Sequence, residues 1–181
     1  MPLSHPLGDA LARADLVFDR TALEAAIARL GADLDQALAG ERAVFLSVMH
    51  GGMIFAGQLA LAMKTDVEFD YVHATRYRGA TTGGSELHWM KQPAATLNGR
   101  TVVVVDDILD EGKTLKAIRD FCLDRGARRV LIVVLCEKRH GRCIEGICAD
   151  FVGVEVPDRY VFGYGMDYYE QGRNLPGIYA I

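Results

Sequence analysis

The feature that most narrows the fold is the β-branched run Thr101 to Val105, which ends in two adjacent acids, Asp106 and Asp107. β-branched residues fit a pleated, buried surface, so this run predicts a buried strand. It is not alone. Ala43 to Val48, Val67 to Ala74 and Val130 to Cys136 are further apolar runs of strand length, separated by stretches with helical character. One helix is predicted from about Met53 to Met63, and another from about Lys113 to Arg125, stopped by Gly126. Strands alternating with helices imply right-handed βαβ units and a mostly parallel sheet, an α/β fold. In such sheets ligands bind outside the carboxyl ends of the strands, which is where unusual loops carry information.

Upstream, Leu23, Ile27, Leu30, Leu34 and Leu38 recur at helical spacing, with Thr21 and Glu24 spaced as a capping box and Gly40 closing the helix. Between Arg76 and Gln92 there is no periodicity but there are three glycines, so a mobile loop is expected there. The last forty residues hold short strands, aromatics and turns, and are expected to cap the sheet rather than extend it. No repeat or linker divides the 181 residues, so one domain spanning 1–181 is expected.

Composition limits the partners. The formal net charge is -4, and the basic residues are scattered. A nucleic-acid binder needs a concentrated cationic footprint, so none is expected. No apolar run approaches the ~20 residues of a membrane-spanning helix. The four cysteines, Cys122, Cys136, Cys143 and Cys148, form no CxxC pair. With no leader-like segment, they point to a reducing cytoplasm. Cys136, His140, Cys143 and Cys148 match no common zinc spacing.

The segment Val102 to Leu115 carries the chemistry. After Asp106 and Asp107 comes Asp110, three residues on, and then Glu111-Gly112-Lys113-Thr114 opens a helix. Backbone N–H groups at a helix start donate to a phosphate, and Gly112 lets the chain approach it closely. Acids beside a phosphate cradle hold either sugar hydroxyls or a cation. A P-loop is excluded, since the glycine it needs five residues before Gly112 is Asp107.

This segment resembles the signature that binds phosphoribosyl pyrophosphate in type I phosphoribosyltransferases, and from about Ala43 to Arg173 the chain is similar to the hypoxanthine-guanine branch. The resemblance implies a parallel sheet flanked by helices with a small C-terminal hood. It implies that Asp106 and Asp107 hold the ribose hydroxyls and support Mg2+, and that Glu111, Gly112, Lys113 and Thr114 surround the 5′-phosphate. The segment VMHGGMIFAGQL looks like the pyrophosphate loop, with His50 and Gly51 as contacts and Met49-His50 as its non-proline cis peptide bond. Arg76 and Tyr77 fall where the family has a mobile loop over the reaction centre. Lys138, in LCEKRH, matches the lysine placed on the purine's exocyclic oxygen. An ammonium has only donors, so it suits a 6-oxo group and not a 6-amino group. In the last segment, Tyr160 matches the aromatic stacked on the base and Val161 its backbone contact. Asp167 matches a ligand of a second magnesium through water, and Arg173 a pyrophosphate contact.

These implications assemble into transfer of a phosphoribosyl group to hypoxanthine or guanine, with Asp110 as the general base. The expected partners are phosphoribosyl pyrophosphate and a 6-oxopurine, in a homodimer or homotetramer. Three residues depart from the family pattern: His50 for lysine, Arg76 for serine and Glu111 for a hydroxyl residue. Two other readings stay open, a xanthine-preferring enzyme and a non-catalytic nucleotide sensor on the same fold.

Overall fold

A computed structural model describes residues 5–76 and 87–181. In chain order the elements are α1 (Leu7–Leu11), β1 (Asp15–Phe18), α2 (Arg20–Leu38), β2 (Val44–Met49), α3 (Gly52–Ala62), β3 (Glu68–Arg76) and β4 (Leu87–Lys91), followed by β5 (Thr101–Leu109), α4 (Lys113–Asp124), β6 (Arg129–Lys138), β7 (Phe151–Val156), β8 (Val161–Phe162) and β9 (Ile178–Ala180). Among the described residues, no helix is long and apolar enough to cross a membrane.

Six strands form one sheet in the order β4-β3-β2-β5-β6-β7. All neighbours are parallel except β4, which runs antiparallel to β3 at the edge. The central strands are apolar at consecutive positions because both faces are covered. Phe45, Val103, Val105 and Val133 point toward the face packed by α2 and α3. Their sequence neighbours Val44, Val102, Val104 and Val134 point toward the α4 face. A second sheet of three strands, β1-β9-β8, sits with its Val161, Ile178 and Ala180 in the same core cluster as α2 and α3.

Several sequence expectations need correction. The cap of α2 is Asp19, whose Oδ1 accepts from the Ala22 amide at 2.8 Å, while Glu24 pairs with Arg20. A carboxylate two residues earlier displaces the Thr21 capping box, because it answers both the unpaired amides and the helix dipole. Part of the expected loop is strand β4: Trp89 packs on Phe121, and Lys91 bonds Asp70 at 2.6 Å. The C-terminal forty residues do not all cap the sheet, since β7 joins it parallel to β6. It does so across Arg139–Asp150, which carries no helix. Gly153 makes the approach possible, for a Cβ there would lie 2.6 Å from the Leu135 carbonyl oxygen. The small sheet also draws on the N-terminal β1, which the sequence reading did not assign.

Leu30 is fully buried between α2 and the sheet. Leu30→Ala removes apolar contact and leaves a cavity in a packed interior, so urea unfolding should show a loss of about 2–5 kcal/mol.

Candidate active site

Three strand ends and one hood segment converge. At the end of β2 the Met49-His50 peptide bond is cis, and α3 begins on Gly51 without a side-chain cap. The end of β5 presents Asp106 and Asp107, and the end of β6 presents Lys138. Between β5 and α4 the chain turns through Gly112, at φ 78°, where a Cβ would also meet Ile147 at 2.5 Å. Both make any side chain there strained. No side chain caps α4, so the amides of its first turn, at Lys113 and Thr114, remain available to an outside acceptor. Glu111, beside them, pairs with Lys113 at 2.7 Å.

The approach of β2 to β5 is tight. A Cβ on Gly51 would lie 1.9 Å from Asp107 Oδ2, and one on Gly165 of the hood would lie 2.1 Å from the Gly51 carbonyl oxygen. The loop after β2 is thus clamped between an acid and the hood. His50 packs edge-on against His73 of β3, with ring centroids 4.4 Å apart.

Burial, and then the neighbouring charge of Asp107, raise the Asp106 carboxyl well above the usual carboxylate range. Burial also raises Asp107, and the opposing bonds and the Arg173 charge do not cancel it. Asp110 behaves in the opposite way. Burial alone would raise it, but bonds from Lys138 and His140 outweigh that and hold it below its ordinary value. Lys138 Nζ lies 2.8 Å from Asp110 Oδ2. In the hood, Arg173 pairs with Asp167 at 2.8 Å and donates to the Gly165 carbonyl oxygen at 2.9 Å, while the Tyr160 hydroxyl donates to the Asp167 carbonyl oxygen at 3.0 Å.

A cavity of about 240 Å³ lies among these groups, and Asp107, Asp110, Lys138, Tyr160, Val161 and Asp167 line it. Residues from β5, β6 and the hood that lie far apart in sequence therefore share one wall. His50, Gly51 and Arg173 stand beside it through the Gly51–Asp107 and Arg173–Asp167 contacts. Arg76 is the last residue of β3, and Tyr77 lies outside the described residues. Four participants escaped the sequence reading. Ile108 and Met166 line the cavity, Gly165 touches Gly51, and His140 bonds Asp110. Only His140 carried a sequence signal, as a histidine two residues after Lys138.

A parallel sheet with paired acids at one strand end, an uncapped helix start beyond them and a hood over the opening defines a nucleotide-handling transferase. The chain belongs to the phosphoribosyltransferase family, in its hypoxanthine-guanine branch: residues 14–171 match the phosphoribosyl transferase domain. It is 36% identical over 149 residues to a hypoxanthine-guanine phosphoribosyltransferase of Streptococcus agalactiae, covering 82% of each chain. To the one from Streptococcus pneumoniae it is 35% identical over 150 residues, covering 83% of each. Among solved structures, a hypoxanthine phosphoribosyltransferase from Staphylococcus aureus superposes with a TM-score of 0.88 at 27% identity, covering 99% of this chain and 96% of that one. A hypoxanthine-guanine phosphoribosyltransferase from Bacillus anthracis superposes with a TM-score of 0.86 at 29% identity, covering 92% and 98%.

The contact of Gly51 with Asp107 can be tested by itself. Gly51→Ala forces a methyl into the carboxylate, and urea unfolding should register a loss of about 1–3 kcal/mol.

Proposed function

We propose that the protein transfers the phosphoribosyl group of phosphoribosyl pyrophosphate to hypoxanthine or guanine, giving IMP or GMP and pyrophosphate. The observation that carries this reading is the pairing of Lys138 and Asp110 on the wall of one cavity, beside Tyr160 and Val161. The imidazole edge of a 6-oxopurine presents an acceptor at O6 and an N–H at N7. A donor-only ammonium next to an ionised carboxylate complements that edge. Lys138 then bonds O6, Asp110 accepts from N7, and Tyr160 covers the ring while Val161 offers backbone groups to its far edge. Adenine's 6-amino group would face the ammonium with no acceptor to meet it.

In the reaction, a bond forms between N9 of the base and the anomeric carbon, and the bond from that carbon to the pyrophosphate oxygen breaks. The N7 proton passes to Asp110. Because Asp110 is held below the usual carboxylate range, it is ionised at neutral pH and open to that proton. The free amides of Lys113 and Thr114, with Gly112 and Glu111 around them, hold the 5′-phosphate. His50, Gly51 and Arg173 hold the pyrophosphate. Most of the rate enhancement comes from positioning.

Asp106, Asp107 and Asp167 fit magnesium by their chemistry. They offer hard oxygen donors, and the two buried acids, whose proton affinity is raised, gain from a cation beside them. Among the described residues, no three His, Cys, Asp or Glu side chains converge on one point. Asp106, Asp107 and Asp167 would therefore hold an ion only together with substrate oxygens, as magnesium is commonly held with phosphates. When bound, it neutralises the leaving pyrophosphate.

The protein acts as a homodimer or homotetramer in the cytoplasm. Exposed Met53, Phe69 and Tyr71 support the assembly, since Phe69 is 65% exposed at the rim of an apolar groove of about 380 Å³. The exposed free thiols of Cys143 and Cys148 support a reducing compartment.

Asp110→Asn keeps the shape but removes the proton acceptor. Steady-state kinetics should show kcat lowered by about 10²–10⁴-fold, with KM for phosphoribosyl pyrophosphate nearly unchanged. Unchanged turnover would remove Asp110 from its role.

A further inference from the structure

The side chain of His140 is only 4% exposed, bonds Asp110 and lies outside the cavity lining. Both of its ring nitrogens are engaged. Nδ1 accepts the Arg142 amide N–H at 2.9 Å, and Nε2 lies 2.5 Å from Asp110 Oδ1. A nitrogen that accepts a hydrogen bond cannot carry the proton, so the neutral ring holds it on Nε2 and donates it to Asp110. The tautomer is therefore fixed by the backbone two residues on.

That backbone is itself anchored. The Arg142 guanidinium grips Asp158 through two bonds of 2.7 and 2.6 Å, and the Arg139 amide donates to the Val156 carbonyl oxygen at 3.0 Å. The two oxygens of Asp110 are thus distinguished. Oδ1 is taken by His140, while Oδ2 faces Lys138, which lines the cavity. When a 6-oxopurine enters and draws Lys138 onto its exocyclic oxygen, Oδ2 loses its partner but Oδ1 does not. A carboxylate with neither oxygen held would be free to rotate away from the base.

We infer that His140 is a positioning residue for phosphoribosyl transfer, its Nε2–H fixing the Asp110 carboxylate so that Oδ2 meets the base. The inference rests on the reading of Asp110 as the proton acceptor. A histidine that merely fills space in the turn after β6 would be replaceable by any apolar group of similar size. A positioning histidine is replaceable only by another donor.

The test compares His140→Phe, which keeps bulk but has no donor, with His140→Gln, which keeps a side-chain N–H. Both are measured in the parent and in the Asp110→Asn background, with folding checked by circular dichroism. Should His140→Phe fail to fold, His140→Met takes its place. We expect His140→Phe to lower kcat by about 10- to 100-fold, with KM for phosphoribosyl pyrophosphate within about twofold. His140→Gln should recover most of that loss. In the Asp110→Asn background the Phe substitution should cost less than about twofold more, because the group it positions is gone. Parent-like turnover in folded His140→Phe would overturn the inference, as would equal losses from Phe and Gln or a full loss persisting beside Asp110→Asn. If Asp110→Asn itself turns over like the parent, the reading of Asp110 fails and this inference falls with it. A large loss at Asp110 with no effect at His140 sinks the inference alone.

Discussion

Everything at this site depends on how deeply β5 is buried before it surfaces. Its valines are covered by α2 and α3 on one face and by α4 on the other, so the strand has no freedom to shift. Its pairing with β6 continues past the valines to Leu109. The acids that follow are therefore delivered to a fixed place. The energetic cost shows in Asp106 and Asp107, whose carboxyls are both raised by burial. A fold would not place two such groups side by side for stability, since each is harder to ionise there than in water. Their presence marks a place where something else supplies the missing positive charge or hydrogen bonds.

Around that strand the remaining pieces are brought close by the absence of side chains. Gly51 lets the loop after β2 rest on Asp107, and Gly165 lets the hood rest on the loop. The hood thus reaches the floor of the site through close backbone approach as well as through the core packing of Val161, Tyr164 and Met166. Asp167 and Arg173 hang from the same hood segment and pair with each other. Substrate groups that reach Arg173 or Asp167 must compete with that pair, just as a base that reaches Lys138 must compete with Asp110. Both sets of groups are stored as ion pairs, close to where a ligand would need them.

How much of this was legible in sequence follows from how local each feature is. The helix α2 and the strands β2, β5 and β6 were readable because their apolar spacing is set by burial along one element. The edge strand β4 and the hood strand β1 were not, because five- and four-residue strands are defined by partners elsewhere in the chain. Asp106, Asp107 and Asp110 stood together in one segment, and the glycine-opened helix beside them gave them a physical meaning. Tyr160, Val161, Asp167 and Arg173 gained theirs only through resemblance to a family, since nothing within their own segment says what they face. The bond of His140 to Asp110 spans thirty residues and depends on the turn after β6, so no spacing rule could have found it.

The central claim is that the Lys138–Asp110 pair reads a 6-oxopurine for phosphoribosyl transfer. The measurement that tests it most directly is nucleotide formation by the purified protein with phosphoribosyl pyrophosphate, magnesium and each of hypoxanthine, guanine, xanthine and adenine. The account predicts product from hypoxanthine or guanine, none from adenine, and loss of activity when magnesium is chelated. Product from adenine at a comparable rate, or no product from any base despite measurable binding of phosphoribosyl pyrophosphate, would contradict it.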